Sequence, residues 1–303
     1  MSASPADISA PTSARLTRTR PTGFVAPSDD DARRALQAIE EDRLADADRI
    51  VGRMSPTAGD TVVWKFLVEG MLAAAHGDFA RAEPSLWQAA TWALLADEGH
   101  HTDARRLAAR ALEQIGRMRR RRDRASEAEP IHRRALQIRE THGSFEEMWE
   151  STMSLGFAAE FARRADDALE WFRRAVTLGE QCTDEPHQKQ ARAWGARGAA
   201  LLDASRFAEA VEACAMAHDA WRSADAGCLD TARAAAKLAH AVLKRAESIH
   251  ADTPAESARL LDQAIARLTE TNETLLAFGP PAPPDAHWTA EQLDFAKRLR
   301  AVV

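Results

Sequence analysis

Six arginines crowd into the eight residues "RMRRRRDR": Arg117, Arg119, Arg120, Arg121, Arg122 and Arg124. Guanidinium forks pair bidentately with carboxylates or phosphates, so the chemistry such a run offers is capture of an anion. Six like charges repel one another, and stability alone accounts for them poorly. A solvated helix end, where positive charge complements the C-terminal dipole, is the competing reading. Two smaller constellations could hold a metal. His100 and His101 adjoin in "DEGHHTD" beside Asp97 and Glu98, and Cys214 lies four residues before His218. Adjacent residues on an inter-helix turn point apart, which favours a solvated turn for the first. A small buried thiol is favoured for the second, because Cys214 falls where one helix must pack on another.

Signatures of catalysis are missing. The chain has no phosphate-cradling loop, no dinucleotide glycine fingerprint, no nucleophile elbow and no zinc-protease histidine pair. The expectation is a protein without enzymatic activity, cofactor or metal. Acidic runs such as "EED" at 40–42 and "SFEEMWE" at 144–150 read as solvated helix faces and caps.

The elements that position these groups are set by a repeat. Four times a glycine is followed twelve residues later by an alanine and seven further on by another: Gly70/Ala82/Ala89, Gly116/Ala128/Ala135, Gly156/Ala168/Ala175 and Gly198/Ala210/Ala217. Only 14 glycines occur in 303 residues, so four in one slot is a strong signal. Successive sets are 46, 40 and 42 residues apart. A period of that length on a helical pattern means stacked helix pairs, none able to bury its apolar face without its neighbours.

The residues in this pattern resemble the tetratricopeptide repeat. Phe79 and Phe207 sit three residues before the first alanine, where that family places an aromatic, and Trp194 takes the family's tryptophan slot, filled by Phe66 and Leu112 in two other repeats. Leu86, His132, Phe172 and Cys214 occupy the slot between the alanines. The segment "AEPIHRRALQIRE" (Ala128–Glu140) is similar to the longer repeat of kinesin light chains and their bacterial relatives. Resemblance covers residues 63–223 well and the flanks weakly. The chain departs from the family in having no tyrosine and in lacking the proline that often ends the second helix. The resemblance implies an all-α, right-handed superhelical solenoid of antiparallel helix pairs, and a scaffold or adaptor function with cargo or filament attachment within its range. A regulatory or chaperone-like domain for one dedicated client is the rival reading.

Composition agrees. Hydrophobic residues reach 45% but aromatics only 6%, and alanine dominates the apolar fraction. The net charge of −6 and a pI near 6.0 argue against a general nucleic-acid partner. No apolar run approaches the ~20 residues needed to span a bilayer. Three widely spaced cysteines, Cys182, Cys214 and Cys228, read as reduced thiols in a cytoplasm.

Residues 1–27, with Arg15, Arg18 and Arg20 against Asp7, read as a disordered basic tail, and Ser28 as a helix cap. A solenoid is expected over 28–278, with helix pairs at 29–41 and 44–55, 61–76 and 79–95, 102–121 and 124–141, 144–162 and 165–181, 187–203 and 207–223, and 229–249 and 254–277. Ser144–Glu147 is a capping box. Gly77, Gly143, Gly179 and Gly227 mark expected helix ends. Residues 279–303 read as a Pro-rich break, "GPPAPP", followed by a capping helix near 289–302.

The repeat register places Arg110, Arg117, Arg120 and Arg121 on the groove side of one helix, with Arg192 on the same surface two repeats on. Most of the eight tryptophans, spread one or two per repeat, read as packing residues. Trp64 is the exception: with Leu67 and Met71 it forms a groove-facing stripe, and Phe157 and Phe161 take the equivalent stripe two repeats later. A basic wall beside an apolar floor suits an acidic segment of a protein partner.

Overall fold

In the computed structural model, residues 30–54, 60–95, 102–122, 124–279 and 281–302 are described. The expected tail at 1–27, the Ser28 cap and the His100–His101 turn lie outside them. Thirteen helices follow one another among the described residues: α1 (Asp30–Glu40), α2 (Leu44–Val51), α3 (Asp60–Ala75), α4 (Phe79–Leu95), α5 (Thr102–Arg121), α6 (Ala125–His142), α7 (Phe145–Phe161), α8 (Ala165–Gln181), α9 (Pro186–Asp203), α10 (Phe207–Ala224), α11 (Leu229–Ser248), α12 (Pro254–Ala277) and α13 (Pro284–Arg300). No strand occurs among these residues. Each helix packs on the next. In addition α3 touches α5, α5 touches α7, and α9 touches α11 and α11 α13, so the odd-numbered helices form one layer and the even-numbered ones another. This is an all-α solenoid of antiparallel helix pairs.

Local chemistry sets the helix ends. At the start of α7, Ser144 Oγ accepts from the Glu147 N–H, and Glu147 Oε2 accepts from the Ser144 N–H at 3.0 Å. Gly77 closes α3 at φ +77°, a left-handed conformation open to glycine. Two expected boundaries are corrected. Gly179 does not end a helix; it lies inside α8, where an added Cβ would stand 3.2 Å from the Gln190 backbone nitrogen of α9. The last helix begins at Pro284 rather than near 289, because proline at a first helical position loses no hydrogen bond.

The four slot glycines hold the pairs together. A Cβ on Gly70 would lie 2.6 Å from Leu86 Cγ, on Gly116 2.5 Å from His132 Cε1, on Gly156 2.4 Å from Phe172 Cε1, and on Gly198 2.7 Å from Cys214 Sγ. Every contact is to the slot between the alanines of the same repeat. Ala82, Ala89, Ala128, Ala135, Ala168, Ala175 and Ala210 are completely buried. Close backbone approach requires both halves of this arrangement.

Most of the apolar core falls into two bodies, with two small clusters beside them. One body runs from Ala32 to Ile138, the other from Trp149 to Ala296. Between them, where α5, α6 and α7 meet, lies a polar layer of Glu113, His132, Arg139 and Ser151, each at most 2% exposed. His132 Nδ1 is 3.1 Å from Glu113 Oε2, and Ser151 Oγ donates to the same oxygen at 3.1 Å. Arg139 Nη1 donates to Ser151 Oγ at 2.9 Å and to the Glu147 carbonyl at 2.8 Å. Burial works against ionising Glu113, yet His132, Arg117 and Arg139 hold its carboxyl well below the usual carboxylate range.

Candidate functional site: a basic groove across the inner helices

A groove of about 750 Å³ runs across α5, α7, α9 and α11. Arg117, Arg120 and Arg121 come from α5, spaced so that one helix face carries all three. Arg192 comes from α9 and Arg233 and Lys237 from α11. Trp149, Met153 and Phe157 of α7 and Trp221 of α10 supply the apolar part. The lining therefore holds six cations against three carboxylates, Glu150, Glu160 and Asp230.

Packing fixes several of these cations. The Arg120 guanidinium lies 5.2 Å from the Phe157 ring centre and 5.4 Å from that of Phe161, so two aromatics flank it. Burial lowers the Arg120 pKa, and Arg117 and Arg121 push the same way. Arg192 sits 5.8 Å over Trp221. Arg117 Nε donates to Glu113 Oε1 at 3.3 Å. Arg233 is bound to Asp285 of α13 at 2.9 Å and to Asp230 at 3.3 Å. Burial raises the Glu160 pKa, and Asp203 adds to the rise.

The arginine run divides. Arg117, Arg120 and Arg121 face the groove, whereas Arg119 bonds Glu83 of α4 at 2.6 Å and stacks on Trp87, and Arg124 pairs with Glu127 of α6. Phe157 is in the groove wall, 5.2 Å edge-to-face from Phe172, and Phe161, 53% exposed, lies against Arg120.

Four expected site residues lie elsewhere. Leu67 is completely buried and Met71 nearly so, in one apolar cluster with Ala32, Ala35 and Leu36 of α1. They are core and present no floor to a ligand. Trp64 packs half-buried against the same cluster. Arg110 Nη2 bonds Glu40 of α1 at 2.7 Å. All four lie toward the N-terminal end, where α1 packs on α3 and Glu40 of α1 meets Arg110. The sequence reading also missed Arg233 and Lys237, whose four-residue spacing on α11 is the signal that would have placed them on one stripe.

Cys214 is buried against Gly198, and burial pushes its thiol up to about 11. Among the described residues no group of three or more His, Cys, Asp or Glu could hold a metal ion. No helix of the described residues is long and apolar enough to cross a membrane.

No family model and no curated protein sequence matches the chain. Solved structures do. A Podosopora anserina putative kinesin light chain with nearly identical TPR-like repeats gives a TM-score of 0.54 at 15% identity, over 71% of this chain and 99% of that one. BtubC (BKLC) from P. vanneervenii gives 0.57 at 18% identity, over 84% and 93%. A Rap protein complexed with competence and sporulation factor gives 0.52 at 13%, over 91% and 89%. At such identities the likeness speaks for architecture, and the chain has the tetratricopeptide-repeat fold.

Proposed function

We propose that this chain is a non-enzymatic interaction module that grips an acidic segment of a partner protein in the groove of α5, α7, α9 and α11. One observation carries the reading. A chain of net charge −6 gathers six cations against three carboxylates around a single groove, beside Phe157, Trp149 and Trp221. Charge of that kind steers an acidic segment in, and apolar side chains hold it. Arg117, Arg120, Arg121 and Arg192 with Phe157 and Phe161 make up the binding surface; Leu67 and Met71 have no part in it. Nucleic acid is not the expected ligand, given the acidic whole.

Within this class the partner is a cargo or filament protein, the role that kinesin-light-chain-like repeats suggest, and the protein works in the cytoplasm with its three cysteines unpaired. A regulatory domain serving one dedicated client is the second reading. It is favoured by the likeness to a Rap protein that was solved with competence and sporulation factor bound.

The test is co-purification from the native cell with mass spectrometry, comparing wild type with Arg117→Glu/Arg120→Glu/Arg121→Glu. A folded triple variant should lose the partner, and wild-type binding should weaken as salt rises, because exposed pairs are screened beyond about 8 Å at physiological ionic strength. Retention of the partner at wild-type affinity by the triple variant refutes the groove as the site. A filament or transport complex among the retained proteins supports the adaptor, and one small client the regulator.

A further inference from the structure

The polar layer between the two apolar bodies does not end in the core. At one end Glu113 accepts from Arg117 Nε at 3.3 Å, and Arg117 lines the groove. At the other end Arg139 Nη2 approaches Glu150 Oε2 at 3.4 Å, and Glu150 also lines the groove. A hydrogen-bonded chain therefore leaves the groove through Arg117, crosses the core by Glu113, Ser151 and Arg139, and returns at Glu150.

Stability explains this arrangement poorly. Replacing buried ion pairs by well-packed apolar groups is often neutral or stabilising. The repeat itself supplies the apolar alternative, since the slots equivalent to His132 hold Leu86, Phe172 and Cys214. A buried carboxylate here needs another reason, and the groove end of the chain offers one.

We propose that Glu113 is a positioning residue for the binding groove: backed by His132 and Ser151, it holds Arg117 in the orientation that meets an acidic ligand. The inference rests on the groove reading above. Arg120 is held by stacking between Phe157 and Phe161 and Arg192 by Trp221, whereas Arg117, 36% exposed, has only this bond to Glu113 among the groove contacts described above. A free arginine must be ordered when ligand binds, and an anchored one has already lost that freedom. The difference corresponds to about threefold to tenfold in affinity.

The test is a cycle of variants in the full chain, read by fluorescence anisotropy with a labelled synthetic peptide of glutamate, leucine and phenylalanine at low salt. Glu113→Leu/His132→Leu, checked for folding by circular dichroism, should bind about threefold to tenfold more weakly. Glu113→Gln keeps an acceptor for Arg117 and should bind within about twofold of wild type. Arg117→Ala should cost at least as much as the double leucine change, and adding the double leucine change to it should cost nothing further, because the anchor acts only through Arg117. Unchanged or tighter binding by the double leucine variant, or losses that add, overturns the proposal. Should the double leucine variant fail to fold, the Arg117 Nε–H resonance decides, assigned by its disappearance in Arg117→Lys. Slow solvent exchange in wild type that becomes fast in Glu113→Ala supports the anchor, and fast exchange in wild type removes it. If wild-type protein does not bind the peptide at all, the groove reading falls and this inference with it. If wild type binds and the variants bind equally, only the positioning role falls.

Discussion

Adding one methyl group at Gly156 tests the repeat register more directly than any large substitution. Gly156→Ala places a Cβ 2.4, 2.6 and 2.9 Å from three carbons of the Phe172 ring. Carbon pairs rest near 3.5–4.0 Å, so the ring must retreat by about 1 Å or the helices must part. Phe172 is completely buried and held edge-on by Phe157, so it has nowhere cheap to go. Overpacking of this kind costs about 1–3 kcal/mol. Against it stands the gain in helix propensity from glycine to alanine, about 1 kcal/mol. Gly195 on α9 is the control: there the nearest atom to an added Cβ is Ala217 Cβ at 4.0 Å, an ordinary contact. Gly195→Ala should therefore stabilise by up to about 1 kcal/mol. Subtracting one variant from the other cancels propensity and leaves packing, so Gly156→Ala should be less stable than Gly195→Ala by about 1–3 kcal/mol in urea unfolding followed by circular dichroism. Phe172→Leu in the Gly156→Ala background should recover part of the loss, an interaction that a double-mutant cycle measures. Equal stability of the two alanine variants would mean that the Gly156–Phe172 contact does not set the helix spacing.

Leu67→Ala should destabilise by about 2–5 kcal/mol, as expected for a fully buried leucine, and a melting temperature close to wild type would return Leu67 to the surface. Glu146 caps the loop after α8, and its own backbone N–H and that of Thr183 hold its pKa down to about 2. The folded value lies below the unfolded one of about 4.3, so the native state binds fewer protons, and the contribution is present above that pH and lost as pH falls toward 2. Wild type should lose more stability than Glu146→Gln over this window; parallel acid melts would contradict the assignment. Cys182 and Cys214 are buried with raised thiol pKa values, so iodoacetamide should modify only Cys228 in the native protein, and early alkylation of Cys214 would show that α9 and α10 separate.

Helix order and register were legible because close packing depends on small residues at fixed intervals, a local and repeated signal. Gly70, Gly116, Gly156 and Gly198 each meet the slot residue of their own repeat. Facing was legible only where the solenoid continues on both sides. Arg117, Arg120, Arg121 and Phe157 lie at its middle and face the groove, whereas Leu67 and Met71 are buried in the N-terminal apolar cluster and Arg110 bonds Glu40 of α1. The polar layer was illegible for a different reason. Glu113, Arg139 and Ser151 each look like surface residues of an amphipathic helix, and only tertiary packing brings them together with His132.

The division of the apolar core into two bodies bears on how the molecule comes apart. In a solenoid each repeat leans only on its neighbours, so cooperativity is passed along the chain link by link. The ionic layer at α5, α6 and α7 lies between the two large apolar clusters, and it is the link where unfolding of one block can stop before reaching the other. The groove straddles that link, taking Arg117, Arg120 and Arg121 from one block and Phe157, Arg192 and Arg233 from the other. Opening at the joint would separate Arg117, Arg120 and Arg121 from the rest of the groove lining. On the proposed function, a segment held in the groove would span the joint and tie the two blocks into one cooperative unit, so occupancy of the groove should be registered as mechanical continuity along the solenoid.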